Sequence, residues 1–352
     1  MAIYHDQLDD FVELTLDTFK KKKWIDISLD NQHHIFASRM FKDKKTPEKG
    51  GVKLNWKVQT TNTGTAKDTG LYAVDTTNVV DLMQKATQEW SKQTVNFSYD
   101  VDEEEFQSDM ETIVDEIKVR EHSMYNDFFE HMEEAMWGSG PATSTADPRP
   151  PSGIPFWIQK NATEGFNGGD PTGWGSVGAG NLDSDTYPRW KNYTFQYVNK
   201  TRDDLIAKWY RACAFTYFKS PHNYPQLGGT GMSDWSFYTT YRMLEPLERL
   251  LEGRNDNLGA DLAWSSGKTL FKGIPVEWVP SLENSTSANQ DTSDPIYGIN
   301  WNVFKYFFQK NRNMIRHKAK IAPNQHTVRN VFMDNWGNFA CYNRRLCFVG
   351  YA

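Results

Sequence analysis

The pattern of apolar and polar positions predicts an arm, a hairpin and a long helix in the first 137 residues. Leu8, Phe11, Val12, Leu16 and Phe19 recur at loose helical spacing, and Lys20 to Lys23 suit the C-terminal end of a helix. Residues 8 to 19 therefore read as a short amphipathic arm. After a turn-rich stretch ending Pro47-Glu-Lys-Gly-Gly51, Val52, Leu54, Trp56 and Val58 alternate with Lys53, Asn55, Lys57 and Gln59, the signature of a half-buried strand. Thr60 to Gln88 is rich in Thr, Asn, Asp and Gly, and then Val95, Phe97, Tyr99 and Val101 alternate with Thr94, Asn96, Ser98 and Asp100. Two such strands around a polar excursion predict a protruding hairpin over 52–101. An isolated hairpin is marginal in water, so this one is expected to pack on another subunit through Val52, Leu54, Trp56, Val58, Val95, Phe97 and Tyr99.

From Asp102 the period changes to that of a helix. Phe106, Met110, Ile113, Ile117, Met124, Phe128 and Ala135 share one face, acidic residues open the run and Gly138 stops it, which predicts a helix to about Trp137, roughly 50 Å long. Residues 138 to 190 read as mostly irregular, broken by Ile154-Pro-Phe-Trp-Ile158. A second helix is expected from Asp203-Asp204, with Leu205, Ile206, Trp209, Ala212, Cys213 and Thr216 on one face, and a short one after Pro246, ended by Gly253. Leu270 to Val279 reads as strand, turn, strand; Val303 to Phe308 as a buried strand or short helix; and Val328 to Tyr351 as two strands around Asn335-Trp-Gly-Asn338. The class is α+β.

Composition sharpens this. Phe 21, Tyr 16 and Trp 13 make 14% of the 352 residues aromatic in a chain of polar mean hydropathy, -0.69, so much flat apolar surface lies beneath a polar exterior. The net charge of -6 disfavours sequence-specific binding of nucleic acid, and Lys20 to Lys23, with Lys42, Lys44, Lys45 and Lys49, forms the best basic patch. The N-terminal residues lack the charged and apolar regions of a signal peptide, and no run of about 18 apolar residues follows, which points to cytosol-like conditions and no membrane. Cys213, Cys341 and Cys347 have no paired spacing and are expected as buried thiols.

Motifs of chemistry are weak. Gly173-Trp-Gly-Ser-Val-Gly178 matches a dinucleotide loop only in its glycines, lacking the strand before and the helix after; Gly267-Lys268-Thr269 fails as a phosphate loop because Leu262 stands where its first glycine belongs. His122, Asp127, His131 and Glu134 read as a solvated helix face, since Val119 and Phe128 stand where a di-metal site needs carboxylates. Ser176 has Trp174 in place of a nucleophile-elbow glycine. No cofactor or metal is expected. The alternative reading of the aromatics is a carbohydrate-active enzyme or lectin, with Asp183 and Asp185 as acid and base.

The order of elements, arm, hairpin, long helix, glycine- and proline-rich segment, helix-bearing middle and closing strands, resembles the major capsid protein of tailed bacteriophages, the Hong Kong ninety-seven fold. Met132-Glu-Glu-Ala-Met-Trp-Gly-Ser-Gly140 with Pro151-Ser-Gly-Ile154, Leu270-Phe-Lys-Gly-Ile-Pro-Val276 with Pro295-Ile-Tyr-Gly-Ile-Asn300, and Val331 to Ala340 are similar to that family in wording as well as in order. The resemblance implies an N-terminal arm over 1–32, an extended hairpin loop over 52–101 and a spine helix over 102–137. It further implies a discontinuous peripheral domain of 33–51, 102–150 and 320–352, and an axial domain over 151–319. The function it implies is non-enzymatic: self-assembly into hexamers and pentamers of an icosahedral virion shell around packaged double-stranded DNA, built in the host bacterial cytoplasm. The resemblance implies either a separate scaffolding protein or a precursor trimmed before this N-terminus, with a portal and a decoration protein as further expected partners. Lys53, Lys57 and Lys67 are placed where some relatives crosslink, but nothing in the sequence predicts that bond here.

Overall fold

The computed structural model describes residues 34–71, 79–102, 110–217, 234–252, 269–283 and 287–352. The predicted arm at 8–19, the first turns of the spine helix, Gly253 and Gly267 lie outside these residues. In chain order the strands are β1 (Lys45–Glu48), β2 (Lys53–Gln59), β3 (Met83–Glu89) and β4 (Ser91–Asp100), followed by helix α1 (Met110–Trp137), the short α2 (Ile154–Trp157), β5 (Gly165–Gly168) and β6 (Asn192–Gln196). Next come α3 (Ala207–Thr216), β7 (Trp235–Thr239), α4 (Tyr241–Glu252), β8 (Leu270–Phe271), β9 (Ile274–Trp278), β10 (Ile296–Asn300) and β11 (Phe304–Gln309). The closing elements are β12 (Ile315–Arg316), β13 (Lys320–Ala322), β14 (Gln325–Cys341) and β15 (Phe348–Tyr351).

Strand β14 organises a six-stranded sheet, pairing antiparallel with β11, β12, β13 and β4, while β1 lies parallel to β11. Helix α1 covers one face. Met124, Phe128, Met132 and Met136 recur every four residues, and all four are buried in one cluster with Phe97, Val331, Met333 and Phe339 of the sheet. The helix ends at Trp137 as its pattern predicts. Part of the aromatic surplus is spent here, with the Phe36 ring edge-on to Tyr306 and Phe339 at 5.3 and 5.8 Å between centroids.

A seven-stranded sheet, ordered β5-β6-β15-β10-β7-β9-β8, carries a second core. The face predicted for the second helix is the one it buries: Leu205, Trp209, Ala212, Cys213 and Thr216 turn inward, and Trp209 stacks on Phe271 at 4.0 Å. Strand β15 lies in this sheet and β11 in the six-stranded one, so sheet membership does not follow the expected boundary at 319/320. All three cysteines are free and buried.

Three expectations are corrected. The hairpin is β2 with β3, in register from Lys53 opposite Glu89 to Gln59 opposite Met83; β4 instead pairs with β14 over Ser91 to Asp100. Asn335-Trp-Gly-Asn338 is no turn but the middle of β14. Asn335 donates through its amide to Gln93 Oε1 (2.8 Å) and Tyr306 Oη (2.6 Å), and Asn338 donates to the carbonyl of Glu89 (2.7 Å). Gly337 lets the Tyr306 ring lie against the strand, because a Cβ there would fall 2.0 Å from Tyr306 Oη. Gly337→Ala should therefore lose about 1–3 kcal/mol of stability in urea unfolding through displacement of Tyr306. Finally, α4 begins at Tyr241 and holds Pro246 inside it; the Arg242 carbonyl that a proline at 246 leaves without its helical donor accepts from Lys200 Nζ at 3.0 Å.

Candidate assembly surface

The β2–β3 hairpin has a fixed root and an exposed tip. At the root, Leu54 and Ala86 are buried, and Trp56 lies 6.2 Å from Trp157 and 5.6 Å from Tyr342, ring centre to ring centre. Gly180, at φ +70°, passes beneath both indoles; a Cβ there would stand 3.3 Å from the Trp157 ring and 3.5 Å from that of Trp56. Gln88 Nε2 donates to Ser152 Oγ at 2.7 Å, and Glu89 pairs with Lys53 and Arg149, each at 2.9 Å. Trp90 Nε1 donates to the Gly51 carbonyl, closing a cleft of about 670 Å³ with Val52, Lys53 and Trp336 on its walls.

Beyond the root, residues 61–71 are all exposed. Leu71 is 94% exposed, Val79 98% and Met83 54%. Leu71 and Val79, held this far into water, gain nothing within the chain, and burial of each on a partner would contribute on the order of 1.5–3 kcal/mol; Met83, half-exposed, has less to gain.

Of the seven residues expected at an inter-subunit contact, Val52 is 88% exposed, Trp56, Val58, Val95 and Tyr99 are half-buried, and Leu54 and Phe97 are buried within this chain. Leu54 and Phe97 thus spend their apolar surface on the chain's own core. Sequence reasoning missed Leu71, Val79 and Met83 because they show no period; the available signal was a set of short apolar pieces, Leu71-Tyr-Ala-Val74, Val79-Val80 and Leu82-Met83, inside a polar stretch.

Two buried charged groups hold the frame that carries the hairpin. Arg344 is fully buried: its Nε donates to the Trp157 carbonyl at 2.6 Å, one terminal nitrogen donates to the Gly169 carbonyl at 2.5 Å, and the other lies 3.5 Å from Asp170 Oδ1. Burial lowers its pKa to about 10, against the pull of the Asp170 carboxylate. Glu133, on α1, accepts from the Phe36 backbone N–H at 2.6 Å and from Trp137 Nε1 at 3.0 Å. It ties the spine helix to the helical turn at Phe36–Phe41.

Burial raises the Glu133 pKa from 4.5 to about 7 despite those hydrogen bonds. The folded chain therefore holds this proton more tightly than the unfolded one, so the carboxyl's favourable contribution is complete below pH 4.5 and lost as pH rises through about 7. Glu133→Gln removes the dependence. Between about pH 4.5 and about pH 8, urea unfolding should show the stability difference shifting toward the variant by on the order of 3 kcal/mol.

Residues weighed for chemistry sit in structural roles. Gly173 to Gly178 is a tight loop around buried Trp174, whose Nε1 donates to the Pro141 carbonyl. His122, Asp127, His131 and Glu134 lie on the exposed face of α1. Asp183 accepts from Asp185 N and Thr186 Oγ1 in its own loop, and those bonds hold its pKa below the ordinary value. Among the described residues no cluster of three or more His, Cys, Asp or Glu could hold a metal, and no helix is long and apolar enough to cross a membrane.

No protein-family model matches the sequence, and no curated protein matches it. Solved structures do. The chain is similar to the cyanophage A-1(L) capsid asymmetric unit, with 12% identity and a TM-score of 0.58 over 94% of this chain and 95% of that one. It is similar to the capsid of the native GTA particle, with 11% identity and a TM-score of 0.56 over 95% and 96%. For the cyanophage Pam1 capsid asymmetric unit the identity is 14% and the TM-score 0.52 over 96% and 97%. Along nearly its whole length, then, this α+β chain has the phage capsid-protein fold that its order of elements resembles.

Proposed function

We propose that the chain is the major capsid protein of a tailed bacteriophage, a structural protein that assembles with copies of itself into hexamers and pentamers of an icosahedral shell around double-stranded DNA. The observation that carries this reading is a hairpin rooted in the chain's own core whose tip presents Leu71, Val79 and Met83 to water, on a fold shared end to end with phage capsids. In this reading the six-stranded sheet with α1 is the core of the peripheral domain, and the seven-stranded sheet is the core of the axial domain. The shell is part of the virion, is assembled in the host cytoplasm, and works with scaffolding, portal and decoration proteins. The acidic net charge suits a container in which DNA slides rather than one that grips phosphates.

The carbohydrate-binding alternative needs tryptophans along an open groove. Trp137, Trp157, Trp174, Trp190, Trp209, Trp235 and Trp301 are instead buried; among the described residues only Trp90 and Trp336 line the cleft at the hairpin root, where Trp90 Nε1 is taken up by the Gly51 carbonyl and Arg312 lies over the Trp336 ring. Size-exclusion chromatography followed by negative-stain microscopy of the purified chain tests the proposal. Capsomers or shells are expected; a stable monomer over the whole concentration and salt range would overturn it.

A further inference from the structure

Charge is unevenly spread along this acidic chain. Residues 295–352 hold nine of the 39 Lys and Arg but one of the 45 acidic residues, Asp334, leaving the rest of the chain strongly negative. The exposed part of this cationic region is the connection from β11 through β12 to β13, where Lys310, Arg312, Lys318 and Lys320 all face water. Arg316 and His317 on the same tongue already have carboxylates, Glu121 at 2.6 Å and Asp334 at 3.0 Å. Arg312 lies over the Trp336 ring at 5.4 Å, and none of the four exposed cations is in an ion pair among the described residues.

A complementary surface exists on α1. Asp127, Glu130 and Glu134 stand at spacings of three and four, forming one acidic stripe along its C-terminal half. Glu134 stands in the last turn, at the negative end of the helix dipole and with no basic residue in that turn, and Asp127 and Glu130 repel it along the stripe at helical spacing. None of the three is ion-paired among the described residues.

From this complementarity we infer that the cationic tongue of one copy docks on the acidic stripe of α1 in a neighbouring copy. Tongue and stripe are different patches, so the contact is head-to-tail and can continue from copy to copy until a ring or shell closes. It rests on the self-assembly reading and adds to it the pair of surfaces that sets orientation. Opposite charges across such a contact act mainly through orientation and association rate, and salt weakens them. Double-stranded DNA is the competing occupant of the tongue, but the remainder of the chain would repel it.

The test uses the full chain and two exposed-site variants, Lys318→Glu/Lys320→Glu and Asp127→Lys/Glu134→Lys, each first checked for the wild-type urea midpoint. Each alone should raise the protein concentration needed for shells by about tenfold or more, and their combination in one chain should restore it. Wild-type assembly should weaken with added salt, and that of the single-site variants should not. If Lys318→Glu/Lys320→Glu forms shells at the wild-type concentration and salt profile, the tongue contact is wrong while self-assembly stands. If that variant assembles normally but its shells no longer retain DNA, nucleic acid is the occupant and the inference fails. A wild-type chain that forms no shells removes the self-assembly reading and this contact with it.

Discussion

Leu71→Asp combined with Val79→Asp should yield a chain that unfolds at the wild-type urea midpoint and forms no shells. Both side chains are more than nine-tenths exposed, so the folded chain has no contact to lose. On a neighbouring copy, each aliphatic group would contribute on the order of 1.5–3 kcal/mol, and a buried, unpaired carboxylate in its place adds a desolvation cost. Together these should raise the concentration needed for assembly by roughly 100-fold or more. Gel filtration, light scattering and negative-stain images of the variant check this; intact shells at the wild-type concentration would show that the hairpin tip is not buried on assembly. Trp56→Asp is a poorer probe, because Trp56 packs on Trp157 and Tyr342 and its loss would loosen the root first.

Arg344→Met should cost about 3–5 kcal/mol in urea unfolding, the usual scale for removing one partner of a buried charged network. The carbonyls of Trp157 and Gly169 would lose their donors, and Asp170, close by and mostly buried, would lose its cation. Arg344→Lys keeps the charge without the planar fork and should recover only part of the loss. Because the Trp157 ring supports Trp56, amide exchange should also rise across 53–59 and 83–89, linking a residue near the C-terminus to the hairpin root. A loss under about 1 kcal/mol would mean that water satisfies these groups in the variant.

Wherever burial follows a local period, the fold was legible in the sequence. Strand β2 alternates Leu54, Trp56 and Val58 against exposed polar neighbours as its sequence does, and the C-terminal half of the spine helix shows its buried row directly. Strand β3 was illegible because it buries little but Ala86 and Gln88, so Met83-Gln-Lys-Ala-Thr-Gln-Glu89 carries no apolar rhythm. Turn chemistry misread β14, since the partners that hold Asn335 extended, Gln93 and Tyr306, come from 242 and 29 positions away. Local propensity yields there to tertiary hydrogen bonds. The candidate surface was legible only in outline: strand alternation located β2, the first strand of the hairpin, but not its partner β3, and Leu71 and Val79 have no periodic neighbours to announce them.

The pairing of β4 with β14, and of β6 with β15, has a consequence for synthesis on the ribosome. Ser98 opposite Asn330 spans 232 positions, and β15, at 348–351, sits between β6 and β10 inside its sheet. Neither sheet can close until nearly all of these 352 residues have left the exit tunnel, so folding is slow and late by topology. A nascent or prematurely terminated chain would lack the rigid root that holds the hairpin out toward a neighbour. Unfinished copies would thereby be kept out of a growing lattice, a form of quality control written into strand order alone.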